Sequence, residues 1–115
     1  DLHVQHEGLA DAYLEVKNVT LVENGQARFP DAVTTRGLKH LRELIQLARQ
    51  GLRTGMIYVV QRGDAQHFLP ADDIDPDYAA GLWEAQKAGV RIWILGCRVS
   101  EQGVRFDKLL ALGSK

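Results

Sequence analysis

A chain of 115 residues with 45% hydrophobic and 25% charged side chains has the makings of one folded domain with its own core, which excludes a disordered tail. Fourteen Lys and Arg against fifteen Asp and Glu give a net charge of −1, which argues against a strongly basic protein that coats nucleic acid. No apolar run approaches the ~20 residues needed to cross a bilayer and no signal-peptide pattern is visible, so a cytoplasmic location without membrane contact is the expectation.

In chain order, Asp1-Leu2-His3-Val4-Gln5 alternates polar and apolar residues, and residues 7–11 supply a Gly-containing loop. Residues 12–17, Ala-Tyr-Leu-Glu-Val-Lys, form a second short strand. An antiparallel hairpin with His3 facing Glu15 would put Asp1 opposite Lys17, with Leu2, Val4, Leu14 and Val16 packing on the other face. Residues 19–23 continue the strand region, Asn24-Gly25 is a hairpin turn signal, and residues 27–29 return before Pro30. Thr34 or Thr35 caps a helix running to about residue 50, where Gly51 stops it; Leu38, Leu41, Leu44, Ile45 and Ala48 mark its buried stripe. Residues 56–61 read as an apolar strand covered on both faces. Asp75 caps a second helix with Pro76 in its first position and Gly89 at its end; this capped turn is also the expected role of the Asp72, Asp73 and Asp75 run. Residues 90–98 form another apolar strand, which carries the single Cys97 as a buried thiol; one cysteine excludes an internal disulfide and fits a reducing compartment. The fold class expected is α/β, a mixed β-sheet flanked by α-helices.

The chemistry begins with Glu15-Val16-Lys17. Side chains two apart on a strand share a face, so a carboxylate and an ammonium sit side by side on an otherwise apolar element. Burying charge there is costly without a partner, metal or substrate. With Asp1 across the hairpin, two carboxylates could hold a hard divalent cation, and Lys17 could position a water or stabilise phosphate charge. This is the D…ExK arrangement of metal-dependent nucleases. Such triplets are also common in solvated strand faces, where they form incidental ion pairs. His3 would share the face, although a strand histidine is more often a partly exposed polar residue. His6 and His67 have no partner legible in the sequence.

The wider context of Glu15-Val16-Lys17-Asn18-Val19-Thr20-Leu21, followed by Phe29-Pro30-Asp31-Ala32-Val33-Thr34-Thr35-Arg36-Gly37-Leu38-Lys39-His40-Leu41, resembles the sugar fermentation stimulation protein family. Val59-Val60-Gln61-Arg62-Gly63-Asp64-Ala65 and Pro70-Ala71-Asp72-Asp73-Ile74-Asp75-Pro76 continue the match, which runs from Asp1 to about Ser100. The resemblance implies an OB-fold-like N-terminal part followed by a restriction-endonuclease-like PD-(D/E)xK domain, and a DNA-binding role. This chain matches the second part, so residues 1–115 are expected to be a single nuclease-like domain excised from a longer chain. The family's short Ser-Arg-type segment before the aspartate is missing here, since the chain begins at Asp1. The resemblance assigns Asp1 and Glu15 as ligands of Mg²⁺ or Mn²⁺ and Lys17 as the assisting cation, with nucleic acid, DNA above all, as the partner.

Other residues could join that site. Gln61 ends the central strand and is either a supporting catalytic residue or a hydrogen-bonding closure of the sheet. Arg36, Lys39 and His40 cluster at the start of the first helix, where backbone N–H groups already favour an anion; phosphate contact and a solvated polar face are both open to them. Arg62 is a further phosphate candidate. Other catalytic classes fare poorly, for there is no Gly-rich phosphate loop, no nucleophile elbow and no Cys pair for zinc. The competing readings are a DNA-binding regulatory protein that keeps a nuclease fold without cutting, and a scaffold using Trp83 or Trp93 to anchor a protein partner. For both tryptophans, burial in the core is the default expectation.

Overall fold

The computed structural model describes residues 2–4 and 12–114. Nine strands and two helices follow one another as β1 (Leu2–Val4), β2 (Ala12–Val19), β3 (Leu21–Glu23), β4 (Gln26–Phe29), α1 (Thr35–Arg49), β5 (Arg53–Val60), β6 (His67–Pro70), α2 (Pro76–Ala88), β7 (Arg91–Ser100), β8 (Gly103–Leu109) and β9 (Ala111–Leu112). The expected mixed α/β class is the observed one, although the strands divide between two sheets. The larger has the order β1-β2-β5-β7-β8, with β2, β5 and β7 parallel and both outer strands antiparallel to their neighbours. The smaller has the order β3-β4-β6-β9.

Both helices start and stop where their sequence signals lie. Thr34 is the N-cap of α1 and its hydroxyl accepts from the Gly37 N–H at 3.0 Å. Asp75 caps α2 with Pro76 next to it, and Gly89 closes the helix at φ 103°, a left-handed conformation that suits glycine. Asp75 does more than cap its own helix. It is buried, and its two oxygens accept from the Tyr78 N–H at 3.1 Å and from the Thr34 N–H at 2.9 Å, so one carboxylate ties together the starts of both helices.

The core lies between the larger sheet, the helices and the smaller sheet. Along β5, Thr54, Met56, Tyr58 and Val60 are buried, whereas Ile57 and Val59 on the other face are only half-buried. Leu41, Leu44 and Ile45 of α1, Tyr78 and Leu82 of α2, and Phe68 of β6 pack on the buried side. Phe68 stacks on Tyr58 at 4.6 Å between centroids, and Phe29 meets Tyr58 and Tyr78 at 5.5 and 5.3 Å, so an aromatic group joins both sheets to α2. The hydroxyls of Tyr58 and Tyr78 are hydrogen-bonded to each other within it.

Several expectations are corrected. In the β1–β2 hairpin His3 lies across from Tyr13 and Leu2 from Leu14, two residues away from the register that set His3 against Glu15. On β2 the apolar side was expected inside, yet Glu15 is 4% exposed and Val16 38%. The helices cover the side that bears the charges. Residues 19–23 are not one strand: β2 ends at Val19, and β3 belongs to the other sheet. The expectation that 56–61 is covered on both faces gives way to burial on one face only. Strands β6, β8 and β9 were not anticipated. Trp93 is 37% exposed rather than core, and Trp83 is half-buried. Cys97 is a buried free thiol, as expected.

Replacing Asp75 by Ala removes an N-cap and leaves the Thr34 N–H without its acceptor, a combined cost of about 2–4 kcal/mol. Urea unfolding of Asp75→Ala should show that loss, with Asp75→Asn losing less because it retains one acceptor oxygen. A stability equal to wild type would show that the carboxylate does not bind the two helices together.

Candidate active site

Glu15 and Lys17 stand two apart on β2 and so project from the same face, the one that α1 crosses. His40, in the second turn of α1, comes down onto them. Oε1 of Glu15 lies 2.9 Å from Lys17 Nζ and 3.0 Å from His40 Nδ1, and Lys17 Nζ is 3.3 Å from His40 Nδ1. The three polar atoms therefore form a triangle beneath the helix. Their side chains are 6%, 18% and 12% exposed respectively, which leaves the lysine closest to solvent.

That geometry fixes the charge of the carboxyl. Burial by itself would raise the pKa of Glu15. Hydrogen bonding and charge from Lys17, with the charge of His40, are among the influences that outweigh burial and hold the carboxyl below its ordinary 4.5. Glu15 is thus an anion throughout the neutral range. His40 Nδ1 can accept from Lys17 or donate to Glu15 but cannot do both at once, so the triangle has two proton arrangements. Tyr78, a buried residue the sequence did not single out, belongs to the surroundings of this site. Its phenol pKa is raised by burial and, despite the Tyr58 hydrogen bond, by the charges of Glu15 and Asp75, so the hydroxyl stays protonated. The Tyr58 phenol is pushed up in the same way, by burial first and by Tyr78 second. Only the fold brings these two tyrosines together, and no local spacing announces them.

The other candidates lie apart from the triangle. Asp1 lies outside the described residues. Gln61 follows the end of β5, donating through Nε2 to Asn18 Oδ1 at 3.2 Å; Glu15 pairs in register with Met56, five residues earlier in the chain. Arg36 and Lys39 are exposed near the start of α1. His40, grouped with them as a phosphate contact in the sequence, turns instead to Glu15. Arg62 is engaged by Asp64 through two hydrogen bonds of 3.1 and 2.6 Å. Among the described residues no three His, Cys, Asp or Glu side chains gather as a metal cluster. Glu15 supplies one hard oxygen donor of the kind Mg²⁺ and Mn²⁺ take, and Asp1 is the second acid that the sequence offers.

A mixed, largely parallel sheet covered by helices on one face, with a Glu-x-Lys pair on the covered side of β2, defines a restriction-endonuclease-like α/β domain. The family model described as "Sugar fermentation stimulation protein RE domain" matches residues 1–103. A sugar fermentation stimulation protein homolog of Roseobacter denitrificans is 50% identical over 105 residues, covering 90% of this chain and 45% of that protein. The homolog of Rhodospirillum centenum is 46% identical over 115 residues, covering 99% of this chain and 49% of that protein. The SfsA structure of Pyrococcus furiosus, solved in complex with Ca²⁺, superposes with a TM-score of 0.86 at 32% identity, covering 90% of this chain and 46% of that one. The chain belongs to the sugar fermentation stimulation protein family. It spans about half the length of the relatives it matches. No helix among the described residues is long and apolar enough to cross a membrane.

The lowered pKa of Glu15 has a consequence for folding. A carboxyl whose folded-state pKa lies below its unfolded value adds stability above the unfolded pKa and loses it as pH falls through the folded one. The stability difference between wild type and Glu15→Gln should therefore be constant above about pH 5 and shift against the wild type below 4.5. Urea titrations between about pH 3 and 7 measure it. A difference independent of pH would mean that Glu15 is not held ionised by its neighbours.

Proposed function

We propose that the chain is the nuclease-like part of a DNA-acting protein whose chemistry is phosphodiester hydrolysis dependent on Mg²⁺ or Mn²⁺. The observation that supports this most is the buried Glu15 carboxylate, kept ionised beside Lys17 and His40 in a chain that carries a second acid at Asp1. A buried anion with an ammonium on one side is expensive as mere structure, and its chemistry suits a cation and a phosphate. A relative of known structure is described with Ca²⁺, another hard cation with oxygen ligands.

In this reading Glu15 and Asp1 would hold the metal. When bound, Mg²⁺ or Mn²⁺ supplies a Lewis acid that polarises a phosphoryl oxygen and lowers the pKa of water. Lys17, the most exposed of the three, turns its ammonium toward the incoming phosphate, where it offsets the negative charge that builds up on the equatorial oxygens. His40 takes over as hydrogen-bond donor to Glu15 when Lys17 turns away, so the carboxylate keeps its orientation. Arg36 and Lys39, exposed on the same helix, contact the phosphates that flank the scissile one. A second reading, a DNA-binding regulator that keeps the fold without cutting, draws support from the net charge of −1 and from the engagement of Arg62 by Asp64.

The two readings divide on one pair of variants. Glu15→Gln should abolish both calorimetric Mn²⁺ binding and cleavage of a DNA duplex. Lys17→Met should lower cleavage by about 100-fold or more while binding Mn²⁺ at least as tightly, because it removes a competing positive charge. Cleavage equal to wild type in either variant would remove the hydrolytic reading. DNA binding without metal-dependent cleavage in the wild type would establish the regulator instead.

A further inference from the structure

The larger sheet carries a hollow on the face opposite Glu15. Leu14, next to Glu15 on β2, points to that opposite face. Leu14 pairs in register with Gly55 and Gly55 with Arg91, so the face also carries Arg53, two residues before Gly55, and Trp93, two residues after Arg91. Leu14, Arg53, Arg91 and Trp93 are among the residues lining a hollow of about 580 Å³, a size within the range of small-molecule sites.

Its shape follows from one missing side chain. A Cβ at Gly55 would stand 2.5 Å from Cζ3 of Trp93 and 2.9 Å from Cδ2 of Leu14, so only glycine lets the indole lie flat on the sheet. The result is an aromatic surface, 37% exposed for Trp93 as a whole, on a face that no helix among the described residues covers. Arg53 and Arg91 occupy diagonal positions on neighbouring parallel strands, which at ordinary strand spacing and rise puts their Cβ atoms about 8 Å apart. Among the described residues no carboxylate lines the hollow. Two exposed like charges at that spacing repel, and an anion between them reverses the sign of the interaction.

An aromatic platform beside a pair of guanidinium groups matches a planar base joined to a phosphate. We propose that the hollow binds a nucleotide, with its base against Trp93 and its phosphate between Arg53 and Arg91. The site lies on the other side of the sheet from Glu15, and its occupancy depends neither on a metal nor on cleavage. The same chemistry is offered by a free mononucleotide and by the 5′-phosphorylated end of a DNA strand.

The test uses the tryptophan as its own reporter. In a Trp83→Phe background, where Trp93 alone fluoresces, 2′-deoxyadenosine 5′-monophosphate should quench saturably with a submillimolar Kd. Inorganic phosphate alone should leave the fluorescence unchanged. Adding Arg53→Gln and Arg91→Gln should weaken binding by at least about tenfold, whereas Glu15→Gln should leave it unchanged, which separates this site from the proposed catalytic one. Should Trp83→Phe fail to fold, the indole N–H signal of Trp93 in the otherwise unchanged protein reads the same titration by NMR. A 5′-phosphorylated trinucleotide that binds more tightly than the mononucleotide would identify a strand end as the ligand, and equal affinity would identify the free nucleotide. Absence of saturable binding up to about 5 mM, or equal binding in the double arginine variant, would overturn the proposal.

Discussion

Asp75 joins two parts of the chain that would otherwise be independent. Its carboxylate accepts from the N–H of Tyr78, at the start of its own helix, and from that of Thr34, at the start of the other. A helix start offers backbone donors with nothing to bond to, and a buried helix start must satisfy them. One buried anion meets that demand twice and is favoured by the dipoles of both helices. Where α1 begins decides where His40 falls, and His40 must fall over Glu15 for the triangle with Lys17 to close. The local chemistry of a helix cap thus sets the position of a side chain on the far side of the core. The tyrosine that follows Asp75 in the first turn of α2 carries the link on, since Tyr78 meets Tyr58 of the central strand hydroxyl to hydroxyl.

The second constraint is that, among the described residues, the larger sheet is covered on one face only. Alternation along β2 and β5 sends Glu15, Lys17, Met56 and Tyr58 toward the helices and Leu14, Val16, Ile57 and Val59 away from them. The charged pair therefore lies in the low-dielectric half of the molecule, where interactions between charges are strong and an unpaired one is costly. The open face keeps the opposite character, apolar and partly wet, with arginines along one end. Two chemically different surfaces a single strand thickness apart follow from this asymmetry.

Much of this was legible in the sequence, for reasons that differ by element. The stripe Leu38, Leu41, Leu44, Ile45 and Ala48 and the caps at Thr34, Asp75 and Gly89 are local signals, and local hydrogen bonding decides them. Glu15 and Lys17 were legible as a pair because the strand period places them on one face. The face that would be buried was not, because an alternating strand looks the same from either side until its cover is known. The hairpin register was off by two residues because a shift of two leaves every side chain on the same face, so alternation alone does not choose between the two pairings. The break at Thr20, which sends β3 to another sheet, depends on partners far along the chain. Strand β8 escaped notice because every residue in it is exposed, so burial leaves no periodic trace. His40 looked like one of a cluster of phosphate contacts on a helix, and only the crossing of α1 over β2 separates it from Arg36 and Lys39.

Strand β8 also bears on how the molecule meets others of its kind. It is the outermost strand of the larger sheet, and Val104, Phe106 and Leu109 on it are each more than half exposed. A flat strand of that composition would be a ready template for another chain to add to. The pairing with β7 slips between Gly96 and Cys97, whose partners are Lys108 and Phe106, so Asp107 is an extra residue that bulges the edge. Arg105, Asp107 and Lys108 place charges along the same short stretch. The bend spoils the straight ladder of donors and acceptors that a growing aggregate needs, and the charges would have to be desolvated to extend it. The domain can leave its last strand greasy and in water because that strand is too crooked and too charged to copy.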